Sequence, residues 1–218
     1  MKYKIVEVKE NLLIENDKRA KELRDKLTAK GIFFINVMAS PGSGKTTLLV
    51  NLINRLKKEY SIGVMEADID GDVDADRITK LTGVPSIQVH TGGTCHLTAQ
   101  MVEDAIDSFG IKDINLLILE NVGNLVCPAE FDTGAHLNLV LLSIPEGDDK
   151  PLKYPLMFEV ADFVAITKID TLPAFNFDFK KCEDNIHYRN KDIQIFKISA
   201  LNGDGVDALV NALKEKIK

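Results

Sequence analysis

Apolar residues in this chain fall into short unbroken runs, separated by stretches in which they recur every three or four positions. Ile32-Phe33-Phe34-Ile35-Asn36-Val37-Met38 reads as a strand buried on both faces, and the amphipathic run from Thr46 to Lys58 reads as a helix. Comparable runs predict strands at Ile62 to Ala67, Ile87 to His90, Ile114 to Leu119, Leu137 to Ser143, Phe163 to Thr167 and Ile193 to Ile198. Helical spacing predicts helices at Asp74 to Leu81, Leu97 to Phe109 and Val206 to Ile217. Ahead of the first strand, residues from about Glu10 to Lys30 carry Leu12, Leu13, Ala20, Leu23 and Leu27 among many charges, as one more helix. Strands alternating with helices imply an α/β fold: a doubly wound, mostly parallel sheet between two helical layers. Ligands of such sheets gather at the carboxyl ends of the strands. No repeat or linker interrupts the pattern, so residues 31–218 read as one domain and residues 1–30 as a helical extension packed on it.

Composition narrows the function classes. The chain has 218 residues, 45% hydrophobic and 28% charged, enough to bury a proper core. A net charge of −6 argues against nucleic acid as a partner, because such binding feeds on positive patches. No apolar run reaches the length of a membrane span, and Met1-Lys2-Tyr3-Lys4-Ile5 opens no secretory signal. The expected compartment is the cytoplasm, with no membrane partner.

Ala39-Ser40-Pro41-Gly42-Ser43-Gly44-Lys45-Thr46 lies between the first strand and its helix, the context of a triphosphate-binding loop of the P-loop NTPase type. Gly42, Ser43 and Gly44 let successive backbone N–H groups face phosphates at a helix N-terminus. Lys45 is expected at the β- and γ-phosphates, and the Thr46 hydroxyl on Mg²⁺. Glu120-Asn121-Val122-Gly123 follows a buried strand: the acid supports Mg²⁺, and Gly123 can donate its N–H to the γ-phosphate. Thr167-Lys168-Ile169-Asp170 addresses the base. A carboxylate there accepts two hydrogen bonds from guanine that adenine cannot donate, and Lys168 lays its stem over the ring. Thr167 stands where the usual guanine pattern has asparagine and is expected to donate one hydroxyl bond in the base site. Ser199-Ala200-Leu201 matches the loop whose alanine N–H meets guanine O6. The expected ligands are therefore GTP and GDP with Mg²⁺. Among the acidic residues after the second strand, Asp68 is the candidate for Mg²⁺ and Asp74 for orienting the attacking water. No glutamine follows Gly123 and no arginine finger can be assigned, so intrinsic hydrolysis is expected to be slow.

Three cysteines cannot form a paired disulfide framework. Cys95-His96 and Cys127-Pro128 each leave the carboxyl edge of a strand, so two thiols and an imidazole can converge near the γ-phosphate. Such a set suits Ni²⁺ or Zn²⁺ and leaves a coordination position open. The competing reading is cysteine as a small buried hydrophobe. Gly92-Gly93 and Pro128 place these thiols in loops, which favours ligands, and a symmetric dimer would bring a second set to the same place. Cys182, in a polar stretch with only His187 nearby, is left out of the site. His136 is assigned a structural or solvent-facing role.

The chain resembles the HypB family of accessory GTPases for nickel insertion into hydrogenase. The likeness rests on the Ala39-to-Thr47 loop, Glu66-Ala67-Asp68, Asp74-Ala75-Asp76-Arg77-Ile78, Thr91-Gly92-Gly93-Thr94-Cys95-His96-Leu97, Glu120 through Pro128, and Glu146 through Pro155. It implies a GTPase that couples nucleotide binding, hydrolysis and GTP-promoted dimerisation to nickel delivery. By resemblance, Cys95, His96 and Cys127 are metal ligands shared across the dimer, and Lys153 reaches the partner subunit's nucleotide. Thr47 joins the nucleotide contacts in the same way. A HypA-type nickel chaperone and the hydrogenase large-subunit precursor are the implied partners. Some relatives carry an N-terminal CxxCxC motif or a histidine-rich tract, and this chain has neither. Two other readings stay open from the residues alone: a GTP-dependent dimerisation switch with structural cysteines, and a related nickel GTPase such as a urease accessory protein.

Overall fold

A computed structural model of the chain describes residues 8–69, 73–110 and 112–217, with side chains described from residue 11 onward except at 73 and 74. In chain order its elements begin with α1 (Val8–Ala29), β1 (Phe33–Ala39), α2 (Lys45–Leu56), β2 (Ile62–Asp68), α3 (Val73–Thr82), β3 (Ser86–His90) and α4 (Ala99–Phe109). They continue with β4 (Leu116–Glu120), α5 (Cys127–Glu130), β5 (Leu137–Ser143), α6 (Lys150–Lys153), α7 (Pro155–Glu159), β6 (Phe163–Thr167), α8 (Phe179–Arg189), β7 (Gln194–Ile198) and α9 (Val206–Ile217). The described strands form one seven-stranded sheet in the order β3-β2-β4-β1-β5-β6-β7. Every pairing is parallel, where the sequence pattern had allowed a mixed sheet.

Burial explains the unbroken apolar runs. Strands covered on both faces have no solvent side to mark with polar residues, and β4 and β6 are buried at every position. One face packs Ile35, Val37 and Ala39 of β1 against Leu48, Leu49, Leu52 and Ile53 of α2 and Leu209 and Leu213 of α9. On the other face, Phe34 belongs to a cluster with Leu23 and Leu27 of α1 and Val102 of α4. Met38 on that same face joins Met157 and Phe158 of α7 and Cys182 and Ile186 of α8. Asn36 lies between these two apolar clusters, and it is 2% exposed.

Three differences from the sequence pattern have physical causes. Helix α1 packs on the sheet through Ala20, Leu23 and Leu27, but Leu12 and Ile14 face solvent. Its attachment is partly polar: Asn16 donates to the Asp132 carbonyl at 2.9 Å and accepts from the Ala99 N–H at 2.9 Å, capping α4. Arg24 grips both carboxylate oxygens of Asp132 at 2.7 Å. The polar stretch around Cys182 is helix α8, started by the Asp178 side chain accepting from the Lys181 N–H. Its apolar residues Phe179, Cys182 and Ile186 are too sparse to announce a helix. Finally, β5 and β6 are joined by the short helices α6 and α7, each with a proline in its first turn, where no N–H is needed.

Candidate functional site

A cavity of about 720 Å³ opens at the carboxyl ends of β1, β2 and β4. Its floor is the turn from β1 into α2. Gly44 caps α2 with φ 96°, a left-handed conformation that a side chain resists, and Gly42 has φ 73°. Lys45 and Thr46 open the helix, both buried, and the Lys45 ammonium donates to the Ser40 carbonyl at 3.4 Å within the loop. Thr46 donates its hydroxyl to Glu120 Oε1 at 3.1 Å. Glu120 pairs in register with Glu66 of β2, and both are buried. Two carboxylates on neighbouring strands beside a helix-start hydroxyl are an oxygen set suited to Mg²⁺, and burial of like charges favours such a cation between them. Gly123 has no room for a side chain: a Cβ there would lie 3.0 Å from the Pro41 ring. The turn after β4 therefore rests directly on the phosphate loop.

At the other end of the loop, Lys168 adopts a left-handed backbone at φ 58°, and its ammonium donates to the Gly42 carbonyl at 2.6 Å. Its Cε would be 3.7 Å from a Cβ at Gly44, so the stem lies across the loop. Asp170 accepts from the Ser199 hydroxyl at 2.5 Å, and the Ala200 carbonyl accepts from Asn51 of α2 at 2.9 Å. Leu201 is exposed. Thr167 departs from its expected role. Its side chain is 2% exposed, and its hydroxyl donates to the Ser43 carbonyl at 2.8 Å. It braces the phosphate loop from beneath, because a threonine side chain is too short to reach past the loop to a base.

The sulfur and imidazole groups converge. Cys95 and His96 lie in the loop between β3 and α4, and Cys127 starts α5. Their ligand atoms lie within 4.8 Å of one another. Cys95 Sγ donates to Cys127 Sγ at 2.7 Å and stands 3.9 Å from His96 Nδ1. That hydrogen bond, with burial adding to it, pushes the Cys127 thiol above its ordinary value. Burial pushes His96 below its ordinary value against an opposing pull from Glu130, so the ring is neutral and able to bind a metal at neutral pH. Phe131 stacks on that ring at 3.8 Å and fixes its plane. Cys95, His96 and Cys127 would hold a borderline-soft divalent cation such as Zn²⁺ or Ni²⁺, with each thiol giving up its proton to bind as thiolate.

Of the residues expected at the nucleotide, Gly42, Gly44, Lys45, Thr46, Thr47, Asp68, Glu120, Gly123 and Lys168 line the cavity. Ser43 is buried under the loop. Asp170, Ser199, Ala200 and Leu201 lie outside that lining; Asp170 and Ser199 are joined to each other, and Ala200 is tied to Asn51 of α2. Lys153 is elsewhere, exposed on α6 and ion-paired with Asp149 at 2.5 Å. The side chain of Asp74 lies outside the described residues. Sequence reasoning passed over Glu66, Arg77, Gln88 and Asn121 as site residues, and all four line the cavity. A signal existed for two of them. Glu66 interrupts an apolar strand just before its end, and Arg77 lies one turn into the helix that follows.

A family model described as CobW/HypB/UreG, nucleotide-binding domain, matches residues 33–197. The hydrogenase maturation factor HypB of Escherichia coli (strain K12) is 44% identical over 211 residues, 97% of this chain and 72% of that protein. The hydrogenase/urease maturation factor HypB of Helicobacter pylori (strain ATCC 700392 / 26695) is 42% identical over 217 residues, 98% of this chain and 88% of that protein. A crystal structure of HypB from Helicobacter pylori in complex with nickel superposes with a TM-score of 0.87 at 42% identity, covering 93% of this chain and 95% of that one. HypB from Archaeoglobus fulgidus gives a TM-score of 0.86 at 33% identity over 94% of this chain and 100% of that one.

Proposed function

Because this chain belongs to the HypB family of CobW/HypB/UreG nucleotide-binding proteins, we propose that it is a GTPase that carries nickel and couples its nucleotide cycle to nickel delivery during hydrogenase maturation. The observation that carries this reading is adjacency. Gly123 rests on the phosphate loop, and Cys127 of the sulfur–imidazole cluster follows it by only a few residues.

In this reading the Gly42–Thr47 backbone cradles the phosphates, with Lys45 at the β- and γ-oxygens to offset charge gathering there. Thr46 and Glu120, with Asp68 at the cavity wall, would hold Mg²⁺, which supplies charge neutralisation when bound. Asp170 accepts the two guanine donors and Lys168 covers the ring, while Thr167 acts through the loop. Asp74 orients the attacking water. The Gly123 N–H senses the γ-phosphate, and loss of that group frees the turn that leads to Cys127.

Cys95, His96 and Cys127 supply three ligands, one short of a closed tetrahedral site, so a second copy of the chain completes the cargo site when GTP promotes dimerisation. Zinc can occupy the same donors. Lys153, free of its own cleft, reaches the partner subunit's nucleotide. A HypA-type nickel chaperone and the hydrogenase large-subunit precursor are the proposed partners on either side of delivery. The proposed compartment is the cytoplasm, where thiol ligands stay reduced. No helix among the described residues is long and apolar enough to cross a membrane, and we propose no role for membrane or nucleic acid.

The test is equilibrium titration with nickel and with zinc, in GDP and in a non-hydrolysable GTP analogue, with mass measured in each state. Metal affinity and mass should both change with the nucleotide. Cys95→Ala and Cys127→Ala should abolish metal binding and leave nucleotide binding intact. Equal affinity and a monomer throughout would remove the coupling; dimerisation without any metal dependence on the cysteines would leave only a nucleotide-driven assembly switch.

A further inference from the structure

Three asparagines cross the sheet core on the seam between the two apolar clusters of one face. Asn121 follows Glu120 and is 1% exposed; Asn36 lies mid-strand in β1; Asn138 pairs with Asn36 in register from β5. Asn121 accepts from the Val122 N–H at 2.8 Å and donates its amide to Asn36 Oδ1 at 3.0 Å. Asn36 donates in turn to Asn138 Oδ1 at 3.0 Å, and Asn138 donates to the carbonyl of Val160, just past α7, at 3.2 Å. Both ends are backbone groups of fixed polarity. A backbone N–H can only donate and a carbonyl can only accept, so the orientation of all three amides is determined without freedom to flip.

Apolar residues would pack these strand positions at lower desolvation cost, so the amides call for a role beyond core filling. Their location supplies one. The near end holds the turn Asn121-Val122-Gly123, which rests on the phosphate loop. Asn36, Asn138 and Val160 also line a second cavity, of about 290 Å³, whose opposite wall is Pro128 to Asp132 directly after Cys127.

We propose that Asn36 and Asn138 are positioning residues for the nucleotide reaction: through Asn121 they hold the Gly123 turn in the conformation that accepts a γ-phosphate, and they tie that turn to the end of α7. The relay acts on γ-phosphate discrimination rather than on nucleotide binding as a whole, since neither residue touches the nucleotide cavity. This inference rests on the GTPase reading above.

The experiment measures the affinity of the full chain for GDP and for a non-hydrolysable GTP analogue, in wild type, Asn36→Leu, Asn138→Ala and the double variant. Asn36→Leu should lower the analogue-to-GDP affinity ratio about tenfold, within the usual range of coupling between sites, with GDP affinity nearly unchanged. Asn138→Ala, partly buried and beside a cavity that water can enter, should lower it about threefold, and the double variant should not exceed Asn36→Leu, as expected for one connected network. A general loss of packing would weaken both nucleotides alike and leave the ratio constant. An unchanged ratio in the variants overturns the relay while the GTPase reading stands. If Asn36→Leu does not fold, Asn138→Ala decides alone by the same criterion. A wild-type chain that binds neither nucleotide sinks both.

Discussion

In the proposed reading, Asp170 sets nucleotide choice, and its surroundings prepare it for that role. The Ser199 hydroxyl occupies part of Oδ1, which orients the carboxylate and leaves acceptor sites for the paired donors of guanine. Asp170→Asn replaces one of those acceptors with a donor. GTP affinity should fall by about 10- to 100-fold, the range for hydrogen bonds to a charged group. Xanthosine triphosphate, with a carbonyl where guanine has its amine, should gain at the same time; displacement of a fluorescent nucleotide measures both, and an unchanged GTP affinity would remove Asp170 from the base site. Thr167 was open to misreading at this scale. Its place in the motif predicted a base contact, but its hydroxyl is consumed by the Ser43 carbonyl across 124 positions of sequence. A motif states which residue type stands at a strand end and leaves its partner undetermined.

Between elements, His136 fastens α1 to the sheet. Its Nδ1 accepts the Phe34 N–H at 2.9 Å, which places the proton on Nε2, bonded to Thr28 Oγ1 at 2.8 Å. Thr28 passes its own proton to the Arg24 carbonyl at 2.9 Å. A doubly protonated ring cannot accept from Phe34. Burial, and then the Arg24 charge, hold the His136 pKa below its ordinary value. The unfolded chain therefore takes up this proton more readily than the folded one. The stabilisation is present above the ordinary histidine value of about 6.5 and is lost as pH falls through the folded value. His96 is shifted the same way and adds slope of the same sign, so the informative comparison is between proteins. Urea midpoints recorded from pH 7.5 to 5 should fall more steeply in wild type than in His136→Leu; parallel curves would mean that the ring does not hold α1. Helix α1 itself was readable from Ala20, Leu23 and Leu27, but its polar fastening by Asn16, Arg24 and His136 was not. Each of those bonds joins residues about a hundred positions apart.

For the whole molecule, the three thiols divide between two environments. Cys182 lies wholly buried under α8, and burial pushes its thiol up to about 12. Cys95, in the loop after β3, and Cys127, at the start of α5, are half-buried. A water-soluble disulfide reagent at pH 8 should titrate two thiols in the folded, metal-free chain and three in denaturant, because the reactive species is the accessible thiolate. Prior loading with nickel or zinc should protect the two. Three thiols reacting in the folded state would contradict the placement of α8.

The strand set, the parallel sheet and the phosphate loop were legible because each is written in contiguous residues: unbroken apolar runs, and a glycine-rich turn between a strand and a helix. The order of strands in space, the meeting of Cys95 and His96 with Cys127, the pairing of Glu66 with Glu120 and the asparagine chain through the core were decided only in three dimensions. Local pattern reports what a residue's own backbone will do; which distant group meets it depends on strand register and on how loops close over the sheet edge, and both are properties of the assembled fold.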